Sequence, residues 1–404
     1  MKILWLCGNP GLFHAKALAD GGWIGALQLE LLRSYSDMKL INVFAYPQNV
    51  GKAKEGQVTY YPVYQKKWKK LFSLFIPSLL DDDFIKQVMG IIEDERPDII
   101  HCWGSELGYG LITKHTEVPI VLHVQGLLNP YMDAYFPPAY SLYKVFKSMS
   151  FNAFSFFRHQ LRPYILFRSN AKREKEILRN VRHIIGRTAW DRACTSILAP
   201  QANYTYCSET LRIHIIDSPK WEYHKRPHLT VLSIMSSAIY KGVDVILRTA
   251  KIIHDMYGDD FEWNIIGIND MRLHEKMTAI DAKDVHVYAR GRLSAEEIAE
   301  ELRRSDVYCH EAYIENSPNS VCEAQYIGIP VVAAMVGGLD TIMDNGAGVL
   351  VPANDAYRSA TSILDLKANM QYAEEISNKE IDAATKRHCG VEKQLIKIYQ
   401  DILI

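Results

Sequence analysis

Short apolar runs alternate with longer amphipathic stretches along this chain, and the alternating pattern occurs twice. The runs are rich in β-branched residues and are apolar on both faces, which is typical of strands covered by helices on two sides. Such alternation predicts parallel sheets built from right-handed βαβ units. Because the pattern begins again near Thr230, and because 404 residues exceed the size of one ordinary domain, we predict an α/β protein with two domains.

The predicted elements fall into two series. The strands of the first series are Lys2–Cys7, Leu40–Ala45, Ile99–Cys102, Ile120–His123 and His183–Gly186. Those of the second are Thr230–Met235, Trp263–Ile266, Val285–Tyr288, Val307–His310, Val331–Ala333 and Gly348–Val351. The clearest helices are Trp23–Ser34, Asp83–Glu95, Val243–Met256, Ala295–Arg304 and Ser320–Gly328.

The domain boundary is predicted between residues 205 and 227, where a polar stretch with two prolines has the composition of a linker. We assign residues 1–215 to an N-terminal Rossmann-like domain and 216–385 to a C-terminal one. Residues 386–404 are predicted to form a C-terminal helix that could pack back on the first domain. The stretch of about 131–175, rich in Tyr, Phe, Arg and Lys, interrupts the alternation. We interpret it as a helical insertion of the N-terminal domain with buried aromatic rings and solvated charges, and a membrane-surface element is the alternative.

Composition narrows the choice of partner and compartment. Lys plus Arg is 46 and Asp plus Glu is 47, a balance that argues against a nucleic-acid binder. The seven cysteines include no Cys-x-x-Cys pair, so we expect a reducing cytoplasm rather than a disulfide framework or zinc site. No apolar run reaches the ~18 residues of a membrane helix. Contact with the inner face of an anionic membrane is a candidate role for the basic, aromatic stretch Lys66–Ile76.

The stretch Asp306–Pro330 is the most informative about chemistry. A buried strand is predicted to end near His310, and a loop carrying Glu315 leads to a helix that begins around Pro318 and holds Glu323 in its first turn. Backbone amides at such a helix start suit a pyrophosphate. One carboxylate can then accept hydrogen bonds from sugar hydroxyls and the other from ribose hydroxyls. The alternative is two ordinary surface carboxylates.

The motif of two glutamates eight residues apart resembles that of the retaining nucleotide-sugar glycosyltransferases of family 4. The matching positions are Glu315, Glu323, Ala324, Gly328, Pro330-Val331-Val332, Gly337-Gly338 and Gly348-Val349-Leu350-Val351. The segment Gly186–Asp191 resembles one found in family members that assemble polysaccharides, although Thr188 and Asp191 also form a capping-box-like pair. The resemblance implies a GT-B fold, with two Rossmann-like domains whose parallel sheets face each other across a cleft. It also implies that Glu315 contacts the donor sugar and Glu323 the ribose, while Asn319 and Ser320, after Pro318, meet the diphosphate.

Upstream, Ser233–Asp244 resembles the first strand and loop of the family's donor domain. Lys241 matches a lysine that grips the donor diphosphate, and Ser237 lies in the same loop. The arginine that the family places about five residues earlier is missing, since Ser236 or Ser237 stands there. We therefore expect Lys241 and loop amides to hold the phosphates. Replacement of the arginine by another cation, weaker diphosphate binding, and a merely solvated Lys241 remain open.

The N-terminal half matches the family less tightly. Gly21 and Gly22 resemble a glycine loop that faces the donor phosphate, although a plain tight turn would use the same residues. His123 follows a buried strand and corresponds to a histidine beside the reacting sugar carbon, or else it is an ordinary buried histidine. The candidate acceptor contacts are Trp103, Glu106, Gln125 and Arg187.

We expect no metal or other cofactor. Asp81-Asp82-Asp83 contains the Asp-x-Asp pattern of metal-dependent GT-A enzymes, but it has the features of a helix cap and first turn. The predicted activity is therefore metal-independent transfer of a hexose from a UDP- or GDP-sugar to a saccharide, lipid-linked or membrane-proximal, with the retention that the resemblance implies. A GT-B sugar-nucleotide epimerase and an inactive GT-B binding protein are the alternatives.

Overall fold

The computed structural model of the protein describes residues 1–13, 22–66, 78–225 and 227–404. Gly21 and residues 67–76 of the basic, aromatic stretch lie outside these ranges. The chain forms two compact units. Unit 1 consists of Met1–Met132, Arg162–Thr210 and His388–Ile404, and unit 2 consists of Asp133–Leu161 and Leu211–Arg387.

Unit 1 contains an eight-stranded sheet with the order β3-β4-β2-β1-β5-β6-β7-β8. Among the strand pairs of the described residues in this sheet, only the edge pair β3–β4 is antiparallel. The strands are β1 (Lys2–Cys7), β2 (Lys39–Tyr46), β3 (Ala53–Glu55), β4 (Val58–Tyr64), β5 (Ile99–Trp103), β6 (Ile120–His123), β7 (His183–Gly186) and β8 (Asn203–Tyr206). The central strands are buried on both faces because helices cover the two sides of the sheet.

The helices of unit 1 are Gly22–Ser34, Ser78–Glu95, Leu128–Asp133, Arg162–Asn180, Ala189–Leu198 and Val391–Leu403, together with the 3₁₀ segment Gly108–Lys114. The last helix packs on this unit through Tyr399, whose hydroxyl lies 2.6 Å from His101 Nδ1. The Tyr399 hydroxyl also accepts a hydrogen bond from Trp5 Nε1 at 3.3 Å.

Unit 2 contains a six-stranded, fully parallel sheet with the order β11-β10-β9-β12-β13-β14. The strands are β9 (Leu229–Ile234), β10 (Phe261–Ile266), β11 (Val287–Gly291), β12 (Val307–His310), β13 (Val331–Ala334) and β14 (Val349–Val351). Strands β9, β10 and β11 follow one another from the middle of the sheet to one edge. The chain then crosses back to the middle, where β12 pairs with β9, and β13 and β14 extend the sheet to the other edge. In sheets wound this way, ligands bind at the carboxyl ends of the two strands where the order reverses.

The helical elements of unit 2 cover both faces of its sheet. They are the α-helices Leu142–Ser148, Ala153–Phe156, Ile213–Ile216, Val243–Tyr257, Arg272–Thr278, Ala295–Arg304, Asn319–Ile327, Leu339–Ile342, Ala356–Ala368 and Met370–His388, the 3₁₀ turns Ile239–Lys241, Lys283–Val285 and Asp344–Gly346, and the π-helical turn Phe157–Leu161. None of the helices in the described part of the chain combines the length and apolar character needed to span a bilayer.

The predicted insertion is divided between the two units. Its first part, Asp133–Leu161, belongs to unit 2 rather than to the N-terminal half. Tyr140 explains this placement, since its hydroxyl lies 2.8 Å from His274 Nδ1, and Val145 is buried beside Ile239. Local sequence periodicity predicts helices but does not indicate which sheet they cover.

The polar stretch predicted as a linker is part of the packed body of unit 2, whose second chain segment begins at Leu211. Trp221 lies in this stretch and is only 6% exposed, and its indole Nε1 donates to the carbonyl of Ser305 at 2.8 Å. Among the strands, β3, β4 and β8 were not predicted, and β11 begins at Val287 rather than Val285. The predicted start of β11 is displaced because Lys283–Val285 is a 3₁₀ turn and His286 is left-handed, with φ 53°.

Candidate functional site

The carboxyl ends of β9 and β12 lie at the position where the strand order of unit 2 reverses. Strand β12 ends at His310, and the following loop leads into the helix Asn319–Ile327, close to the predicted start. Pro318 is the N-cap residue of this helix, and its carbonyl accepts from the amide of Cys322 at 3.1 Å. The loop and the helix bring buried carboxylates to this edge of the sheet, since Glu315 is 8% and Glu323 4% exposed.

Glu315 is paired with the predicted phosphate lysine. Lys241 Nζ donates to Glu315 Oε2, and His310 Nε2 lies 3.6 Å from the same oxygen. Burial by itself raises the pKa of the Glu315 carboxyl, but the Lys241 ammonium and His310 outweigh burial and lower this pKa to about 2. The group is therefore a carboxylate at neutral pH and can accept hydrogen bonds.

The backbone of Glu315 is held by two glycines that the sequence motif contains. The amide of Gly338 donates to the Glu315 carbonyl at 3.0 Å. Gly337 has φ 54°, and a β-carbon at this position would collide with the same carbonyl oxygen. The pair of glycines is thus required for the close approach that fixes Glu315.

Substitution of Gly337 by alanine is expected to destabilise unit 2 by about 3 kcal/mol or more, because a left-handed penalty of ~1–2 kcal/mol adds to the collision with Glu315. Gly390→Ala is the matched control, since Gly390 is also left-handed, with φ 67°, but has no atom within 4 Å of an added β-carbon. Chemical denaturation of both variants measures the difference. An equal loss of unfolding free energy in the two variants would mean that the close contact with Glu315 does not contribute to stability.

Glu323 is held by Arg212, a residue that the sequence analysis did not single out. Arg212 Nε and Nη2 donate to the two carboxylate oxygens of Glu323, each at 2.6 Å. This bidentate geometry fixes the plane of the carboxylate while leaving further lone pairs on both oxygens. Arg212 lies in the stretch interpreted as a domain boundary, 111 residues before its partner, and no local pattern indicates such a pairing.

Lys241 is placed by the 3₁₀ turn Ile239–Lys241 that follows β9. Gly242, with φ 79°, ends this turn, and a β-carbon there would collide with the carbonyl oxygen of Glu311. The turn therefore packs directly on the loop after β12. Ser236 and Ser237, where the family arginine is missing, are exposed at the end of β9.

Glu311 is a buried carboxyl beside this turn that was also missed. It is 1% exposed and lies 3.4 Å from Cys309 Sγ. Burial raises the pKa of Glu311 to about 7, although Ser359, Cys309 and Arg248 oppose the shift. A carboxyl with this pKa exchanges its proton near neutral pH.

Glu311→Gln is expected to become more stable relative to the natural protein as pH rises. The pKa of Glu311 is higher in the folded than in the unfolded state, so the stability it contributes is present at low pH and lost between pH 4.5 and 7. The stability difference between variant and natural protein should change by on the order of 2–3 kcal/mol from pH 5 to pH 8. Denaturation at both pH values measures it, with exposed Glu374→Gln as control. A pH-independent difference would contradict the assignment.

The other predicted residues form a second group at the carboxyl ends of β5, β6 and β7 in unit 1. Trp103 stacks on His101 with ring centroids 3.8 Å apart and on His123 at 4.8 Å. Burial, and then the charge of Arg187, lower the pKa of His123 well below its usual range. His123 is 1% exposed and is therefore a neutral imidazole at physiological pH.

Arg187 contacts several side chains of this second group. Its guanidinium donates to Gln125 Oε1 at 2.7 Å and to Glu209 Oε2, and it lies 5.1 Å from the ring centroid of Trp23. The helix Ala189–Leu198 begins with a capping box formed by Thr188 and Asp191, which anchors the backbone next to Arg187. Glu209 is 1% exposed and was not predicted.

Glu106 and Gly22 complete the predicted positions in unit 1. Glu106 accepts from the amide of Gly126 at 3.1 Å, and burial raises its pKa to about 7. Gly22 begins the helix Gly22–Ser34 with φ 59°. Gly21 lies outside the described residues.

The Asp-x-Asp pattern lies within the helix Ser78–Glu95, with Asp81 in its first turn. Asp81 accepts two hydrogen bonds from Arg173 Nη1, at 3.0 and 3.1 Å. A salt-bridged aspartate of this kind has a structural partner in the chain itself. Among the described residues, the side chains of His254, Asp259 and His286 lie close enough together to hold a metal ion. Both histidine rings lie 3.0 Å from Asp259 Oδ1.

Comparison with known proteins relates unit 2 to a family. Residues 220–383 match the family described as "Glycosyl transferases group 1". The amylovoran biosynthesis glycosyltransferase AmsK of Erwinia amylovora is 30% identical over 147 residues, which are 34% of this chain and 36% of that protein. A D-inositol 3-phosphate glycosyltransferase of Paenarthrobacter aurescens is 32% identical over 142 residues, 34% of this chain and 35% of that protein. The match therefore spans about a third of the length of each relative.

Similarity to solved structures extends over nearly the whole chain. Sucrose-phosphate synthase from Thermosynechococcus elongatus superimposes with a TM-score of 0.72 at 14% identity, covering 99% of this chain and 98% of that one. Anabaena HepE, solved in complex with UDP-glucose, gives a TM-score of 0.66 at 14% identity, covering 99% and 100%. These likenesses confirm the predicted GT-B fold class, and the sequence matches relate residues 220–383 to glycosyl transferases group 1.

Proposed function

We propose that this protein is a glycosyltransferase that moves a sugar from a nucleotide-sugar donor to a saccharide acceptor. The observation that carries the proposal is the ionised Glu315 paired with Lys241, next to the helix that presents Glu323 on Arg212. Both lie at the end of the unit 2 sheet where such folds bind nucleotides. The matching family over residues 220–383 is described as glycosyl transferases, which agrees with this chemistry.

Donor binding is assigned to unit 2. The amides of the first turn of Asn319–Ile327, with Ser320 and Pro318 at its start, create the positive end of a helix dipole that suits a diphosphate. Lys241, which is paired with Glu315, adds a full positive charge beside the loop that carries this glutamate. Glu323, with its plane fixed by Arg212, accepts hydrogen bonds from two vicinal ribose hydroxyls. Ser237 is exposed at the loop end and contacts a phosphate oxygen.

Sugar transfer follows from the charges at these positions. Glu315 accepts hydrogen bonds from hydroxyls of the donor sugar and stabilises positive charge that develops at the anomeric carbon. Lys241 stabilises negative charge on the departing diphosphate. The anomeric C–O bond to phosphate breaks, the acceptor hydroxyl oxygen forms the new bond on the same face, and a phosphate oxygen takes the hydroxyl proton. Retention follows from this same-face attack.

No metal ion is needed in this scheme. The charge of the diphosphate is neutralised by Lys241 and backbone amides, in the way that a divalent ion does in other transferases. Because we propose a metal-independent reaction, we expect full activity in the presence of EDTA.

The acceptor is assigned to the aromatic and polar group of unit 1. Trp23 is half-buried and offers an apolar ring for a sugar, and Gln125, Glu106 and Arg187 offer polar groups for hydroxyls. Trp103 is buried in its stack with His101 and His123 and holds this group in place. His123, being neutral, can accept or donate a hydrogen bond without carrying charge. A hexose donor fits the UDP-glucose bound by HepE. The acceptor that we propose is a lipid-linked, membrane-proximal saccharide in polysaccharide assembly, and the name of AmsK states a role in amylovoran biosynthesis.

Product analysis tests the proposal. The protein is incubated with UDP- and GDP-sugars, with and without oligosaccharide or lipid-linked saccharide acceptors, in EDTA and in Mg²⁺. Acceptor-dependent release of UDP or GDP and a new glycoside with the anomeric configuration of the donor are expected. Interconversion of sugar-nucleotides without acceptor would instead identify an epimerase. Donor binding without turnover of any acceptor would favour an inactive binding protein.

A further inference from the structure

A helical segment of unit 2 exposes several aromatic rings to solvent. The segment Ser141–Leu161, which we call the aromatic segment, contains the helices Leu142–Ser148 and Ala153–Phe156 and the π-helical turn Phe157–Leu161. One side of it is firmly attached to the unit. Val145 is fully buried with Ile239, and Lys276 Nζ donates to the carbonyl of Ser148 at 2.8 Å.

The other side of the aromatic segment carries large rings in solvent. Tyr143 is 67%, Phe151 54%, Phe154 74% and Phe157 42% exposed. This differs from the interpretation of buried aromatics with solvated charges that the sequence favoured. Four such rings within 15 residues form an apolar surface of the kind that marks a contact site, whereas single exposed apolar residues are ordinary.

The backbone adopts an uncommon conformation at the centre of this surface. Ser150 and Phe151 both have positive φ, 54° and 55°, although neither is glycine. Bulky residues in the left-handed region are rare and cost about 1 kcal/mol or more. The turn between the two helices is thus built with Phe151 exposed although that residue fills no core position.

The charge around the rings has one sign. Lys144, Lys147 and Arg158 are exposed in the aromatic segment, and the stretch from residue 134 to residue 173 contains no Asp or Glu. The whole chain has a net charge of −1, so this surface is a local concentration of positive charge. Exposed aromatics beside Lys and Arg, with acidic residues excluded, match the chemistry of an anionic lipid interface, where rings enter the headgroup layer and cations meet phosphates.

We propose that the aromatic segment docks this protein on the surface of an anionic lipid bilayer. Phe151, Phe154, Phe157 and Tyr143 enter the interface, and Lys144, Lys147 and Arg158 contact lipid phosphates. The docking surface belongs to unit 2, on the same unit as the proposed donor site but formed by residues that take no part in that site. Membrane docking can therefore be tested independently of the proposed transfer reaction.

Vesicle co-sedimentation of the full chain tests this inference without any sugar-nucleotide. Vesicles of phosphatidylcholine alone are compared with vesicles containing about 30% phosphatidylglycerol, a fraction chosen to give a negative surface potential. The natural protein is expected to bind the anionic vesicles and to be released by 0.5 M NaCl, because high salt screens exposed charges.

Two variants separate the contributions of rings and charges. Phe151→Ser with Phe154→Ser should weaken binding at least about tenfold, since two apolar rings no longer enter the interface. Lys144→Glu with Lys147→Glu should weaken it about 25-fold or more, at about fivefold per lysine. Tyr357→Ser is the matched control, because Tyr357 in the same unit is 74% exposed but lies outside the segment, and it should bind normally.

The same variants provide the controls for folding. Their melting temperatures and their stabilisation by nucleotide-sugars should equal those of the natural protein, because the altered side chains are exposed. Failure of the natural protein to bind anionic vesicles, or equal binding by the patch variants and Tyr357→Ser, would overturn the inference. Loss of a dimer in light scattering on mutating the rings, without vesicle binding, would show instead that a second copy covers this surface.

Discussion

Glu315→Gln is expected to lower kcat by about 10²- to 10³-fold while the protein remains folded and still binds nucleotide. Removal of one group that stabilises charge in a transition state typically lowers kcat by about this factor. The glutamine keeps the shape of the side chain but cannot stabilise positive charge at the anomeric carbon. It also leaves Lys241 without the carboxylate that it contacts in the structure. Turnover assays and a nucleotide-binding isotherm on the same preparation measure the two effects separately.

Glu222→Gln is the control for this variant, because Glu222 is an exposed glutamate of the same unit. It should have natural turnover. Near-natural kcat in Glu315→Gln would show that the reacting sugar does not lie at this carboxylate, and the assignment of the catalytic position would be wrong.

Arg212→Ala is expected to weaken nucleotide-sugar binding by about 10- to 100-fold, although the guanidinium is proposed to act through Glu323 rather than on the ligand. The two hydrogen bonds of 2.6 Å hold the Glu323 carboxylate in one plane, and charged hydrogen bonds each contribute about 1.5–3 kcal/mol. Without them, Glu323 is a buried carboxylate with its main counter-charge removed. Lower stability is expected as well.

A double-mutant cycle distinguishes positioning from direct contact with the ligand. Arg212→Ala, Glu323→Ala and the double variant are compared by the Kd of one nucleotide-sugar. If Arg212 acts through Glu323, the double variant should bind no more weakly than Glu323→Ala alone. Arg212→Lys should restore part of the affinity, but not all, since lysine lacks the bidentate geometry. Fully additive losses would show that Arg212 has an independent role.

Residues whose placement depends on local spacing could be predicted from the sequence. Glu315 and Glu323 are eight residues apart within one strand–loop–helix unit, so their proximity to the helix start could be predicted without tertiary information. Lys241 follows a strand that neighbours β12 in a doubly wound sheet, so its position at the same edge is a consequence of the topology. The alternation of strands and helices likewise predicted the fold class.

The partners that hold these residues could not be predicted in the same way. Arg212 meets Glu323 across 111 residues, and Arg187 is connected to Gln125 across 62 residues. Such pairs depend on how separate elements pack, and composition and periodicity carry no signal for them. The prediction that residues 133–161 belong to the N-terminal domain was wrong for the same reason, because contacts such as Tyr140 with His274 place them in unit 2.

The aromatic segment illustrates a different limit of the sequence. The aromatic rings of the insertion were interpreted as buried, with a membrane surface as the alternative, and the structure divides them. Phe156 packs on the cluster around Val145, whereas Phe154 is 74% exposed. Very short helices joined by a left-handed turn have no regular periodicity, so the exposed and the buried faces cannot be read from residue spacing.

Ligand-induced thermal stabilisation is the most direct test of the proposal that unit 2 binds a nucleotide-sugar through Glu323. Melting curves are recorded with a panel of nucleotides and nucleotide-sugars, with and without Mg²⁺, for the natural protein and Glu323→Ala. A ligand at 100 times its Kd should raise stability by about 2.7 kcal/mol. We predict that one UDP- or GDP-sugar stabilises the natural protein equally without metal, and that Glu323→Ala abolishes the effect. No stabilisation by any nucleotide-sugar, or equal stabilisation of Glu323→Ala, would contradict the proposal.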